Sequence, residues 1–319
     1  MTFKSWRSLL LLAPAALSLT AACGGEDFDP VSRLTKLAVL ALRAEPVNPA
    51  ASTETTLETL VYTTAAQPAS ASTYAWTWCP ILGVSADGYT CPFSDADVAM
   101  LATQLGATEA PPALAFSTAA KPTWKNVFPA ASLATICTNG FGGFKPDCEN
   151  GFPVRVKVTV TNGAESVVAT AVLRLPIDDT TPSNVNPVID GVAAELAAGE
   201  QPIDEAGTTE LPRLIETVLR AKVDDAQSQE FMGKDDDGNA ALVRERLVLS
   251  WYSEQGDLDS TQTAYIPGKS ELDRLTDNKI EIKTKADDPQ DTSRVIVVLR
   301  DSRGGVSWTT GVIKLGGVQ

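Results

Sequence analysis

From Val154 to Val160 the chain alternates strictly between apolar and polar side chains, Val-Arg-Val-Lys-Val-Thr-Val. It then turns at Asn162-Gly163 and returns through Val167 to Leu175. Period two puts every second side chain on one face, and Asn-Gly supplies the turn that joins two antiparallel arms. Such a segment folds as a strand pair with one face buried, not as a helix. A second pair of arms recurs near the C-terminus. Val295 to Leu299 turns across Asp301-Ser302-Arg303-Gly304-Gly305 and returns through Val306 to Leu315. It is read in the same period-two sense, and valine and isoleucine dominate both pairs, as strands prefer.

Earlier segments also have counterparts in the same order. Leu37–Leu42 corresponds weakly to Pro187–Val192, Leu57–Tyr62 to Leu214–Leu219, and Tyr74–Trp78 to Leu249–Tyr252, where Trp251 matches Trp76. The 319-residue chain therefore reads as one folding unit written twice, with domains predicted at 34–177 and 188–319. The polar, proline-bounded segment 178–187 serves as the linker. The first copy is far longer between its tryptophan strand and its closing hairpin, which places an insertion at about 79–150. Within it, Ser94 is a helix N-cap and Gly106 a helix stop, so 94–106 carries one short helix. Each copy offers about seven short strands with a mid-domain tryptophan, and so resembles an immunoglobulin-like β-sandwich. The expected fold is all-β: two tandem immunoglobulin-like sandwiches, the first with a disulfide-bonded insertion containing that helix.

The N-terminus is an address. Lys4 and Arg7 precede an apolar run from Leu9 to Leu19, and the small residues Ala21 and Ala22 lead into Cys23. This is the three-part layout of a secretory signal, predicted over 1–22. The ending Leu19-Thr20-Ala21-Ala22-Cys23 resembles the lipobox of bacterial lipoproteins. That resemblance implies cleavage before Cys23, acylation of its sulfur and of the new amino group, and a lipidated tether over 23–33. Gly24 after the cysteine is similar to lipoproteins of the outer membrane. With the runs Leu42-Arg43-Ala44-Glu45-Pro46, Trp76-Thr77-Trp78-Cys79-Pro80 and Leu299-Arg300-Asp301, the chain resembles cell-surface lipoproteins of myxobacterial type. The resemblance implies an envelope protein held by lipid and names no activity or leaflet.

Cys79, Cys91, Cys137 and Cys148 remain beyond the lipidation site. Export places them in an oxidising compartment, where an even number implies disulfides. Three pairings are open. The local one, Cys79 with Cys91 and Cys137 with Cys148, is favoured because each pair brackets a loop containing Gly or Pro.

Histidine is absent, which excludes Ser-His-Asp and Cys-His catalysis and histidine-ligated zinc. The net charge is −14, and loss of Lys4 and Arg7 would make it more acidic still. A body of that charge is repelled by phosphate backbones, so no nucleic-acid partner is expected. No resident cofactor is expected either. Asp235, Asp237 and Asn239 are the candidates for a calcium ion, but position twelve of such a loop is Arg246 and not glutamate, so a solvated acidic turn is preferred. Asp178, Asp179, Asn184 and Asn186 form a second acidic group that could clamp the linker through calcium. Trp76 and Trp251 are assigned to the cores. Trp308, expected to be exposed beyond the Gly304-Gly305 turn, and Arg303 at that turn are the candidate ligand contacts, while Arg300, Asp301 and Arg303 are expected to fix the turn by ion pairs. The function expected is a non-enzymatic surface scaffold or binding module, its partner an envelope protein or a glycan. A carbohydrate-binding surface protein is the alternative, and a two-carboxylate glycosidase a distant one.

Overall fold

The structure, a computed structural model, describes residues 31–64, 68–82, 88–141, 143, 145–178, 183–235, 237–283 and 291–318. The expected signal segment 1–22, Cys23, the expected tether up to Pro30, Asp179 and Asp236 lie outside the described residues.

The first sandwich is built from β1 (Ala38–Glu45), β2 (Glu54–Tyr62), β3 (Thr73–Cys79), β4 (Ala115–Ser117), β5 (Thr123–Lys125), β6 (Phe152–Asn162) and β7 (Glu165–Leu175). Two sheets result, ordered β1-β2-β5 and β4-β3-β6-β7. The alternation in β6 does what its pattern requires. Val154, Val156, Val158 and Val160 are fully buried in the core, while Lys157 and Thr159 on the other face are half-exposed.

The second sandwich adds β8 (Val192–Leu196), β9 (Gly199–Ile203), β10 (Glu210–Arg213), β11 (Glu216–Ala221), β12 (Glu230–Lys234), β13 (Ala240–Arg244), β14 (Leu247–Ser253), β15 (Asp257–Leu258), β16 (Gln262–Tyr265), β17 (Asp277–Glu281), β18 (Thr292–Asp301) and β19 (Val306–Val318). Its sheets run β10-β19-β18-β14-β16 and β15-β17-β11-β8-β9, and β12-β13 stands apart as a two-stranded hairpin. Set the added edge strands aside and the two halves have the same order. The set β8-β11-β17 repeats β1-β2-β5, and β16-β14-β18-β19 repeats β4-β3-β6-β7. This division of strands between two facing sheets is immunoglobulin-like. Trp76 pairs across its sheet with Val158, and Trp251 with Val297, so the matched tryptophans occupy the same point of the two folds. Both are fully buried.

Three expectations need correction. Pro187–Gly191 is not a strand; the first strand of the second half begins at Val192. The insertion holds two helices, α1 (Asp95–Gln104) and α2 (Ala130–Asn139), and also the strands β4 and β5. Both helices pack on the sandwich. Val98 and Ala102 of α1 and Leu133 and Ile136 of α2 join the same core as Trp76, Trp78 and Val156. Finally, the second half has twelve strands among the described residues, because edge strands and a separate hairpin are added to the seven-strand plan.

The sandwiches are stacked sheet against sheet. The first core holds Leu37, Leu42 and Ala44, and the second holds Val295, Val297 and Leu299. Between them lies a third apolar layer, which takes Leu34, Leu40, Ala41 and Tyr62 from one side and Ile296, Val298 and Val306 from the other. Strands β1 and β18 are thus buried on both faces, which is why Leu37–Leu42 and Val295–Leu299 are unbroken apolar runs. The reading of β18 as a period-two strand is wrong for that reason. Its outward Ile296 and Val298 stand where β6, buried on one face only, carries Lys157 and Thr159. Each large aliphatic side chain taken out of water contributes about 1.5–3 kcal/mol, so the seam is a stabilising interface in its own right.

Candidate functional site

The seam is stitched by polar contacts along its length. Arg300 donates from Nη2 to the Leu40 carbonyl at 2.6 Å, and Arg294 from Nη2 to that of Thr63 at 2.7 Å. The Arg294 guanidinium also lies 4.6 Å over the ring of Tyr62, whose hydroxyl donates to Leu34 O and to Glu254 Oε1, each at 3.0 Å. Burial, followed by the negative charge of Glu254, pushes the Tyr62 phenol up to about 12.

At the other end of the seam the linker is a staple. Asn186 donates to the Ala44 carbonyl of β1 at 2.9 Å and accepts from the Val306 amide of β19 at 2.8 Å. The Asn184 amide donates to Asn48 Oδ1 at 3.0 Å, and its side chain donates to Asp301 Oδ2 and accepts from Arg303 Nη2, both at 3.0 Å. Asn184 and Asn186 therefore clamp the halves by hydrogen bonds within the protein, and those two oxygens are committed without a cation.

The turn between β18 and β19 is fixed differently from the expected ion-pair network. Asp301 Oδ1 accepts from the backbone amides of Arg303 and Gly305, each at 2.8 Å. A Cβ on Gly305 would meet Asp301 Oδ2 at 2.1 Å, so the carboxylate can fold back over the turn only because a glycine stands there. Arg303 is buried and pairs with Glu245 instead. Burial, then the neighbouring Asp301, holds the Glu245 carboxyl above its ordinary range despite that pairing.

Trp308 is not the exposed loop tryptophan expected from sequence. It lies half-buried in β19, packed against the seam, with the Arg43 guanidinium 4.6 Å from its ring centroid. It borders a depression of about 700 Å³ that also holds Asp190, Asp204, Glu205 and Lys222. The calcium candidates sit at the tip of the β12–β13 hairpin. There Asp235 Oδ1 accepts from the amides of Asp237 at 3.0 Å and Asn239 at 2.8 Å, and so caps its own turn. Among the described residues, no group of three or more acidic or cysteine side chains is placed to hold a metal ion.

The cysteines pair locally, Cys79 with Cys91 and Cys137 with Cys148.

What the structure brings together, and the sequence did not suggest, is a groove at the linker end of the seam. Its narrow part, about 190 Å³, lies between Asn48, Arg174 and Ile177 of the first half and Phe231, Met232 and Arg303 of the second. Its wide part, about 660 Å³, continues past Glu149, Asn150 and Phe231 to Arg244, Arg246 and Lys269. The β12–β13 hairpin forms one wall. Its signal was a second short hairpin pattern, Glu230–Lys234 and Ala240–Arg244 around an Asp-Gly turn, which has no counterpart in the first half.

The chain enters this body at the opposite end. Leu34 N donates to Ser253 O at 2.9 Å, Ser253 N donates to Ser32 O at 3.0 Å, and Arg33 pairs with Asp257 at 2.8 Å. Strand β14 runs from Leu247, which faces Asp301, to Ser253, which faces Val295. Groove and entry point are therefore separated by the length of that strand, about 20 Å at roughly 3.3 Å per residue.

These features define a class: two immunoglobulin-like β-sandwiches fused through a buried seam, with a ligand-sized groove where the linker crosses it. No protein-family model matches the chain, and no curated protein matches it. Among solved structures it is similar to a chimeric titin Z1Z2-Z1Z2 tandem, at 11% identity and a TM-score of 0.27 over 88% of this chain and 100% of that one. It is also similar to three N-terminal domains of the bacteriophage RB49 outer capsid protein Hoc, at 13% identity and 0.20 over 88% and 59%. A third is the Bacteroides ovatus SGBP-B of a mixed-linkage glucan utilization locus, in complex with a heptasaccharide, at 9% identity and 0.19 over 89% and 71%. The immunoglobulin-like character lies in the strand order shared by the two halves.

Proposed function

We propose that this chain is a lipid-anchored protein of the bacterial outer membrane that works as a non-enzymatic binding module. Acylated Cys23 would hold the body to the membrane, where two or three acyl chains make a firm anchor. The groove is its recognition surface. One observation carries the reading: the chain enters the body beside Ser253, whereas the groove lies at the other end of β14. The groove thus lies at the end of the body remote from Leu34, where the chain enters it. The stacked sandwiches suit display, because the buried seam and the stapled linker keep the groove walls in fixed register. The donors Asn150, Arg244, Arg246, Lys269 and Ser302 along the wide part of the groove support the binding reading.

Metabolic labelling with a fatty-acid analogue, followed by fractionation of wild type and Cys23→Ala, tests the anchor. Labelled wild type in the outer membrane and unlabelled variant in the soluble fraction are expected. A variant that stays membrane-bound overturns it.

A further inference from the structure

We infer that the groove takes a linear uronate-type oligosaccharide, a chain of pyranose rings bearing carboxylates; this rests on the binding-module reading and names the ligand class of the same site.

Charge is the first ground. The whole chain has 26 basic residues against 40 acidic ones. The wide part of the groove reverses that balance, with Lys234, Arg244, Arg246 and Lys269 against Glu149 and Asp235. Glu149 and Lys234 pair with each other at 3.6 Å across the groove, Arg244 pairs with Asp225 at 3.6 Å, and Asp235 caps its own turn. Arg246 is exposed and has no ion-pair partner among the described residues. The depression beside Trp308 is acidic by contrast, with Asp190, Asp204 and Glu205 against Lys222. A local reversal of sign in an acidic body concentrates anions at that one place.

Shape is the second ground. Phe231, Gly233 and Val243 share one face of the β12–β13 hairpin, since Phe231 pairs with Val243 and side chains alternate along each strand. The groove is therefore lined by a side-chain face and not by a strand edge. An extended acidic peptide gains its affinity by adding a strand to an edge, which this face does not present. A Cβ on Gly233 would stand 2.7 Å from Val243 Cγ2 and 2.9 Å from the Phe231 ring, so glycine keeps this surface flat. The Phe231 ring is itself held by the Arg303 guanidinium, 4.7 Å from its centroid. A flat apolar patch with ammonium, guanidinium, Asn150 amide and Ser302 hydroxyl donors around it matches the apolar face and the carboxylate and hydroxyl acceptors of a uronate ring. A volume of about 660 Å³ lies in the range of ligand clefts, about 300–1,000 Å³.

The test is calorimetric titration of the full mature chain in detergent with oligogalacturonate, its methyl ester and poly-glutamate, at low and high salt. Oligogalacturonate should bind, and added salt should weaken it. The charge reversal Arg246→Glu should reduce affinity about tenfold without moving the melting temperature. The ester and poly-glutamate should not bind. Absence of oligogalacturonate binding, equal binding of the ester or of poly-glutamate, or an unaffected variant would each overturn the inference. Acyl labelling of the same preparation separates the two claims. Labelled protein that ignores oligogalacturonate overturns only the ligand class, while unlabelled protein that binds it supports the ligand class and overturns the anchor.

Discussion

Arg303 donates from Nε to Glu245 Oε1 at 2.5 Å, and the two side chains are 6% and 0% exposed. The same guanidinium reaches Asn184 of the linker and covers Phe231 in the groove wall. One buried cation thus ties the second sandwich, the linker and the groove together. Arg303→Ala removes the partner of a carboxylate that has no water to turn to. A loss of about 3–5 kcal/mol is expected, read from urea unfolding. A loss under about 1 kcal/mol, as for an exposed pair, contradicts the role given to it.

Glu245 makes a prediction of opposite sign. Burial, then Asp301, raises its carboxyl above the ordinary value of 4.5, so the folded state penalises the ionised form more than the unfolded state does. Stability from this group is greatest below 4.5 and declines as pH rises through its folded value. Glu245→Gln, neutral throughout, leaves Arg303 without its counter-ion, so the reading is the change with pH: the variant should gain on wild type as pH rises across that window, in denaturant titrations. A variant that falls behind wild type as pH rises reverses the sign and contradicts the account.

The outward face of β18 can be rewritten after its counterpart. Ile296→Lys with Val298→Thr copies the half-exposed Lys157 and Thr159 of β6, whose other face still packs a complete core. The seam should open while both cores survive. Limited proteolysis should then cut the linker near the now exposed Asn184, which is buried in wild type. Equal resistance of variant and wild type counts against the seam.

Each disulfide closes a short loop, with partners 12 and 11 residues apart. In the chain-entropy account each contributes roughly 3 kcal/mol. Because Val98, Leu133 and Ile136, in the stretch between the two disulfide loops, belong to the first core, reduction should lower the stability of that sandwich and not merely loosen a loop. Thiol counting by mass spectrometry should find none free among Cys79, Cys91, Cys137 and Cys148 before reduction. Reduced protein with an unchanged unfolding curve would show that the excursion packs without its staples.

Chelation should leave the melting temperature unchanged, since Asp235 is engaged with its own turn amides and Asn184 and Asn186 with the seam. A fall of several degrees on adding EDTA would restore the calcium reading.

Much of the architecture was legible in local pattern. The alternation from Val154 to Val160 marks a strand that faces only its own core, and Trp76 and Trp251 each point into the core of their own sandwich, where sequence neighbours decide burial. Helix α2 was missed because Ser132, Thr135 and Thr138 are poor helix formers. In the structure Thr135 and Thr138 return their hydroxyls to carbonyls one turn back, and Leu133 and Ile136 fix the helix by packing. The run Val295–Leu299 did announce a second buried face, but alternation was read into it because the partner, Leu40 and Ala41, comes from the other half of the chain. The same non-local partner hid the fate of Trp308 and Arg303. A turn residue reads as exposed until a second sandwich covers it. The groove was illegible for a related reason: Arg174, Phe231 and Arg246 converge only when the halves are docked.

Differential scanning calorimetry of the purified protein tests the docking most directly. Two sandwiches sharing a buried apolar seam should melt in one transition, with calorimetric and van't Hoff enthalpies in agreement. Two resolved transitions in the wild-type protein would mean that the halves unfold independently, and the stacked body with its groove would have to be abandoned.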